Sequence, residues 1–229
     1  MALVTDFIKL LLDRREFFWQ LFWEHIALCC LAIGATLVIG IALAILMTRS
    51  PGLAKIVLFV TGFLYTIPSI ALFGFFIAIS GIGNKTAIIV LIIYGILPMV
   101  RNTYIGLEEV DPKIVEAAVA MGSNFRELLF KIKLPLALPV IFTGIRTMVI
   151  MIVSLTSIAS FIGAGGLGVA IYRGINSYNP MLTFSGSLLV ALLALCFDQL
   201  IGLLEKKVCY KSKRKQEIKP DNKNNNITV

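Results

Sequence analysis

The stretch DPKIVEAAVAMGSNFRELLFKIKLP, Asp111 to Pro135, is a charged island in a chain made mostly of long apolar runs. Asp111 before Pro112 reads as an N-cap with proline at the first helical position, where the missing N–H has no partner to lose. A short helix then runs to Met121 and stops at Gly122, because glycine tolerates the left-handed conformation of a helix end. Ser123 is read as a second N-cap. The helix after it places Phe125, Leu128, Leu129 and Ile132 at i, i+3, i+4 and i+7, which is one apolar stripe. Arg126, Glu127, Lys131 and Lys133 lie off that stripe, and Glu127 precedes Lys131 in the favourable i, i+4 order. Leu134–Pro135 is expected to end this second helix. Two short helices in an elbow, polar on one side and apolar on the other, suit docking onto another surface.

Outside the elbow, composition sets the class. Of 229 residues, 58% are hydrophobic and 15% charged; soluble domains lie nearer ~45–50% and ~25%. The chain reads as an all-α polytopic membrane protein. Its net charge of +8 does not point to nucleic acid, because Lys206, Lys207, Lys211, Lys213, Arg214, Lys215, Lys219 and Lys223 follow the last apolar run. That is where a positive-inside cytoplasmic tail belongs, and no soluble reading fold accompanies it. Cys29, Cys30, Cys196 and Cys209 have no metal-ligand spacing and read as small packing residues.

The apolar runs give five spans. Residues 1–24 are interrupted by Asp6, Lys9, Asp13, Arg14, Arg15 and Glu16 and lack a signal-peptide cleavage site. They are expected to form an interfacial amphipathic helix leading to Trp19 and Trp23 at the membrane boundary. Ile26 to Thr48 is uncharged over 23 residues, enough for a hydrocarbon core of about 30 Å. Ile56 to Asn84 is uncharged over 29, with Pro68 in its middle. Thr86 to Val100 has only 15 uncharged residues, so Lys85 and Arg101 snorkel or the helix continues through Tyr104. Leu134 to Tyr172 is apolar except for Arg146, and Gly174 to Leu204 except for Asp198. One span plus a re-entrant segment in 134–172 puts fifteen Lys and Arg on the elbow side and five on the other. The positive-inside bias therefore places the N-terminus outside and the C-terminus in the cytoplasm. The membrane domain covers residues 25–207, with the elbow at 111–134, and a basic tail, 208–229, is expected to be disordered.

Glu116-Ala117-Ala118, then Gly122, then Ile132 and Leu134-Pro135, reproduces the EAA–G–I–LP signature and resembles the permeases of bacterial ABC importers. The run Ser157–Asn176 (SIASFIGAGGLGVAIYRGIN) and RSPGLA after the first span are similar to the osmoprotectant group, which imports glycine betaine, carnitine, choline or proline betaine. The resemblance covers roughly residues 25–207. It implies the type I ABC importer permease fold, in which the elbow is the coupling helix pair seated in a groove of a separate ATPase subunit. It also implies a second permease subunit, identical or homologous, and an extracellular substrate-binding protein. ATP and magnesium would then be bound by the ATPase, with no cofactor in this chain. Methionine, other amino-acid and sulfonate importers share the signature and are the alternative reading.

Other features are weighed beside that reading. Gly163, Gly165 and Gly168 fit a dinucleotide fingerprint literally, but no strand precedes them, and the next acidic residue, Asp198, lies 30 positions past Gly168. No GxxxxGK[ST] phosphate loop is present, so ATP hydrolysis is assigned to the partner. A secondary transporter would need ion-coupling carboxylates and internal repeats; only Asp198 is available. Arg146 and Asp198, charges inside apolar runs, are expected to pair or to face the subunit interior. Ser154, Thr156, Ser157 and Ser160 either line a path or bond their own helix carbonyls. Phe161 and Ile162, with Gly163, Gly165 and Gly166 behind them, are the candidate outer constriction. Tyr65, Phe73, Tyr94 and Phe161 could offer aromatic faces to a quaternary ammonium. His25, the single histidine, is read as interfacial, and no metal site is expected.

Overall fold

Apolar runs separated by turn-forming residues become ten helices in a computed structural model, which describes residues 2–217. They are α1 (Ala2–Asp13), α2 (Arg15–Met47), α3 (Pro51–Thr66), α4 (Ser69–Ser80), α5 (Asn84–Glu108), α6 (Pro112–Ala120), α7 (Phe125–Glu127), α8 (Leu134–Ala159), α9 (Gly168–Asn176) and α10 (Pro180–Glu217). Four helical segments are long and apolar enough to cross a membrane: α2, α5, the run Phe125–Ile162 that contains α8, and α10. The bent pair α3–α4 makes a fifth if counted as one span.

The α3–α4 bend is where residues 56–84 depart from one straight span. The two helices meet at 101°. Ile67 takes an extended conformation (φ −71°, ψ 130°), because the residue before a proline is pushed out of the α region. Its carbonyl, released from the helix ladder, accepts a hydrogen bond from the Tyr94 hydroxyl on α5. The break is therefore satisfied rather than left open in an apolar setting. The shortfall in the third run is met by helix length: α5 continues past Arg101 to Glu108, and 25 residues rise about 38 Å.

Four other expectations are corrected. The leading helix ends at Asp13, and a second starts at Arg15 and runs unbroken to Met47, so Trp19 and Trp23 belong to the first span. The second elbow helix is capped by Asn124 rather than Ser123. It does not stop at Leu134–Pro135; a π-helical turn over Leu128–Lys133 carries it into α8. That wider turn accommodates a proline whose ring would clash with an α-helical i−4 carbonyl. At the other end α10 stays helical to Glu217, into the stretch expected as a disordered tail; 218–229 lie outside the described residues.

Helix α5 is the centre of the packing, touching α2, α3, α4 and α8, while α10 covers α8 and α9. Association in lipid relies on close backbone approach, since burying apolar surface gains little there. Small residues provide it. A Cβ on Gly95 would meet Thr36 of α2 at 2.9 Å and Ile152 of α8 at 3.0 Å, and one on Gly144 would meet Asn102 at 2.7 Å.

Candidate functional site

The elbow folds from local bonds. Asp111 Oδ1 accepts from the Lys113 N–H at 2.9 Å, capping α6. At its far end Ser123 N–H donates to Ala118 O (3.1 Å) and Gly122 N–H to Val119 O (2.9 Å). Those two bonds are a Schellman closure, and they need the left-handed φ of +85° that Gly122 adopts. Asn124 and Glu127 then form a reciprocal capping box: the Glu127 N–H donates to Asn124 Oδ1 at 3.0 Å, and the Asn124 N–H to Glu127 Oε2 at 3.3 Å. Glu127 Oε1 also accepts from Lys131 Nζ at 2.7 Å.

The signature residues divide by role. Ala118 is buried and supplies the carbonyl that closes α6, whereas Glu116, Ala117 and Gly122 are exposed. Ile132, Leu134 and Pro135 are half-buried at the root of α8. Ile114, Val119, Met121, Phe125 and Phe130 are large apolar side chains left exposed on the same element, Met121 to 80%. The elbow thus presents a preformed surface that leaves several large apolar side chains and the Glu116 carboxylate exposed. Arg49, in the turn after α2, stacks its guanidinium 5.5 Å from the Phe125 ring centroid. The basic turn and the elbow therefore share one end of the bundle.

Halfway along α8 the two intramembrane charges meet. Arg146 Nε and Nη2 donate to Asp198 Oδ1 and Oδ2, both at 2.8 Å, a bidentate fork between α8 and α10. Glu205 stands 3.8 Å from the other guanidinium nitrogen.

The opposite end of α8 carries the glycine loop. Three consecutive N–H groups donate to three side chains from distant helices. Gly165 donates to Asn84 Oδ1 (3.2 Å), Gly166 to Glu24 Oε2 (3.1 Å), and Leu167 to His25 Nδ1 (3.2 Å). His25 Nε2 lies 3.1 Å from the Val153 carbonyl. An amide can only donate and a carbonyl only accept, so the neutral ring with its proton on Nε2 satisfies both contacts. His25 is fully buried, which corrects its reading as interfacial. Gly166, at φ +94°, has His25 packed where a Cβ would sit. Gly163 is also left-handed, and Gly83 N–H donates to Ile162 O at 3.1 Å.

The hydroxyls of the candidate path turn onto their own helix. Ser154 donates to Ile150 O, Thr156 to Ile152 O, Ser157 to Ser154 O and Ser160 to Ser157 O. Phe161 is exposed, edge-to-face with Tyr172 at 5.0 Å, while Ile162 is half-buried. Of the four aromatics considered, Tyr65 is exposed beside Tyr94, and Phe73 is fully buried.

Glu24, His25 and Asn84 hold the loop, and nothing in the sequence pattern assigns them that role. The signal available is only that polar residues at the edges of apolar runs must find partners in a dry interior. Nothing in the linear order names those partners, which lie 81 and 142 residues away.

Comparison with known proteins agrees with the elbow. Residues 36–210 match the family described as binding-protein-dependent transport system inner membrane component. The osmoprotectant import permease OsmW of Salmonella typhimurium is 39% identical over 205 residues, covering 87% of this chain and 95% of OsmW. The glycine betaine/carnitine/choline permease OpuCB of Bacillus subtilis is 35% identical, covering 81% and 85%. The ergothioneine transport permease/ergothioneine binding protein EgtU of Helicobacter pylori is 41% identical over 169 residues, 74% of this chain; the chain spans only 31% of EgtU. Among solved structures, the inward-facing MetNI methionine ABC transporter aligns with a TM-score of 0.73 at 24% identity, over 87% of this chain and 98% of that one. The chain belongs to the binding-protein-dependent transport system inner-membrane components, the multi-pass permease subunits of ABC importers that work with a binding protein and an ATPase.

Proposed function

We propose that this permease carries compatible solutes such as glycine betaine, carnitine or choline inward. The observation behind it is similarity over nearly the full length of OsmW, named for osmoprotectant import, and of OpuCB, whose name states those solutes. The elbow is the docking element for the ATPase subunit, which binds ATP and magnesium. Glu116 and Ala117 face outward from a helix end already closed at Gly122, so docking requires no folding of the elbow. The elbow side is cytoplasmic and the glycine-loop side external, in keeping with the charge distribution. Two such subunits, identical or homologous, form the translocation path within the lipid bilayer. ATP binding to the partner moves the elbow and switches the bundle from inward-open to outward-open.

Uptake into proteoliposomes tests this reading. Transport of glycine betaine, carnitine or choline should require ATP, the ATPase and the binding protein together. Uptake driven by a sodium or proton gradient without ATP would overturn the machine. A second reading keeps the machine and changes the cargo, favoured by the 41% identity to the ergothioneine permease EgtU. ATP-dependent uptake of ergothioneine with none of the betaines would establish it, and methionine provides the comparison for an amino-acid importer.

A further inference from the structure

A cleft of about 490 Å³ opens at the glycine-loop end of the bundle, bordered by Phe17, Glu24, Ser160, Tyr172 and Arg173. Its volume falls in the range of about 300–1,000 Å³ usual for small-molecule sites. Two opposite charges border it without forming an ion pair: Arg173 has no carboxylate partner among the described residues. The Arg173 guanidinium is held 5.2 Å from the Phe17 ring centroid, which leaves its N–H edge free to take an anion. Across the cleft the Glu24 carboxylate accepts from Gln20 (2.8 Å) and from Gly166 N–H (3.1 Å). Those two bonds fix its position, and a carboxylate retains further lone pairs. Tyr172 presents an exposed ring, braced edge-on by Phe161 at 5.0 Å.

A fixed anion, a fixed cation and an aromatic wall in one cleft complement a molecule that carries both charges itself. Tyr172 and Glu24 suit a quaternary ammonium, through cation–π attraction and charge; Arg173 suits a carboxylate, through its planar fork. The whole of α8, 26 residues or about 39 Å, separates this cleft from the elbow, so it opens on the side where solute arrives. We infer that the cleft is an external site for a small zwitterion bearing a quaternary ammonium and a carboxylate, built into the permease and distinct from the binding protein. This rests on the compatible-solute reading above.

The test uses the full chain with its ATPase partner in nanodiscs, the binding protein omitted, and radiolabelled glycine betaine or choline as probe. Wild type should bind glycine betaine saturably. Arg173→Gln should weaken glycine betaine by about tenfold or more, the worth of one charge-assisted contact. It should leave choline, which lacks the carboxylate, unchanged. Arg173→Lys should recover part of the loss, and Tyr172→Leu should weaken both solutes. Absence of saturable binding in wild type, or equal weakening of both solutes by Arg173→Gln, overturns the site. Glycine betaine binding in phosphatidylglycerol discs that vanishes in phosphatidylethanolamine discs assigns the cleft to a lipid headgroup and also overturns it. So does a wild type without betaine binding in which Arg173→Gln shifts only the binding-protein concentration needed to stimulate the ATPase. ATP-driven betaine uptake by the complete transporter separates the two readings: uptake without a permease site removes this inference alone, and no uptake of any betaine removes the reading beneath it.

Discussion

The two ends of the helix through Phe125 and Ile162 are built by opposite strategies. At the elbow every capping bond joins residues two to five positions apart, and large apolar side chains stay exposed. At the glycine loop, three successive amides are captured by side chains 81 to 142 residues away, one of them the fully buried His25. The elbow is complete as a shape and incomplete as a surface; the loop is the reverse. A surface left open for another protein can fold from its own bonds, whereas a loop that closes several helices together is tied to each of them.

The sharpest way to break this contrast is at the elbow surface. Glu116→Lys combined with Ala117→Asp alters only exposed positions, so the fold should survive while ATP-driven uptake is lost almost entirely. Co-purification of the ATPase with unchanged thermal unfolding checks it; full uptake would show that the elbow is not the docking surface. Next in size is His25→Leu, which strands the Leu167 N–H in a dry interior, while the Val153 carbonyl keeps its place in the α8 ladder. The orphaned amide costs about 1–3 kcal/mol, and a clear fall in the thermal midpoint should accompany reduced uptake. A midpoint equal to wild type would mean the clasp does not hold the loop.

A matched pair of glycines sharpens the comparison further. Gly122 and Gly166 have similar left-handed φ values, +85° and +94°. Both changes to alanine should cost about 1–2 kcal/mol from backbone conformation alone. A Cβ at Gly122 meets open space, whereas one at Gly166 meets His25 Nδ1 at 3.1 Å. Gly166→Ala should therefore destabilise more than Gly122→Ala in denaturation of the purified chain; the reverse order would contradict the packing. The smallest effect belongs to Glu127→Gln, which weakens an exposed i, i+4 pair with Lys131. Pairs of this kind contribute little, and the thermal midpoint should barely move.

Legibility followed the same division. The α6 cap at Asp111 and the stop at Gly122 were readable because both signals act within one helical turn. The cap at Asn124 rather than Ser123 is equally legible, since Asn124 with Glu127 three residues on is itself a capping-box pattern. Proline breaks α-helices, so Pro135 reads as a terminator; the π turn before it removes the conflict, and no residue pattern announces such a turn. Arg146 and Asp198 could be flagged by the cost of lone charges in lipid, though their bidentate geometry depends on how α8 and α10 face each other. The burial of His25 is not legible, because a lone histidine says nothing of the backbone groups that will surround it.

The unbroken run from Phe125 to Ile162 has a mechanical consequence. Its 38 residues span about 57 Å, longer than the hydrocarbon layer is thick. Such a rod behaves as a lever rather than a chain of joints: a tilt of roughly 10° about its midpoint displaces each tip by about 5 Å in opposite directions. The fork at Arg146, near that midpoint, sits where leverage is least and a fixed contact is easiest to keep. In the function proposed above, a partner that shifts the elbow by a few ångströms moves the glycine loop by a like amount, with no need for any helix in between to melt or refold.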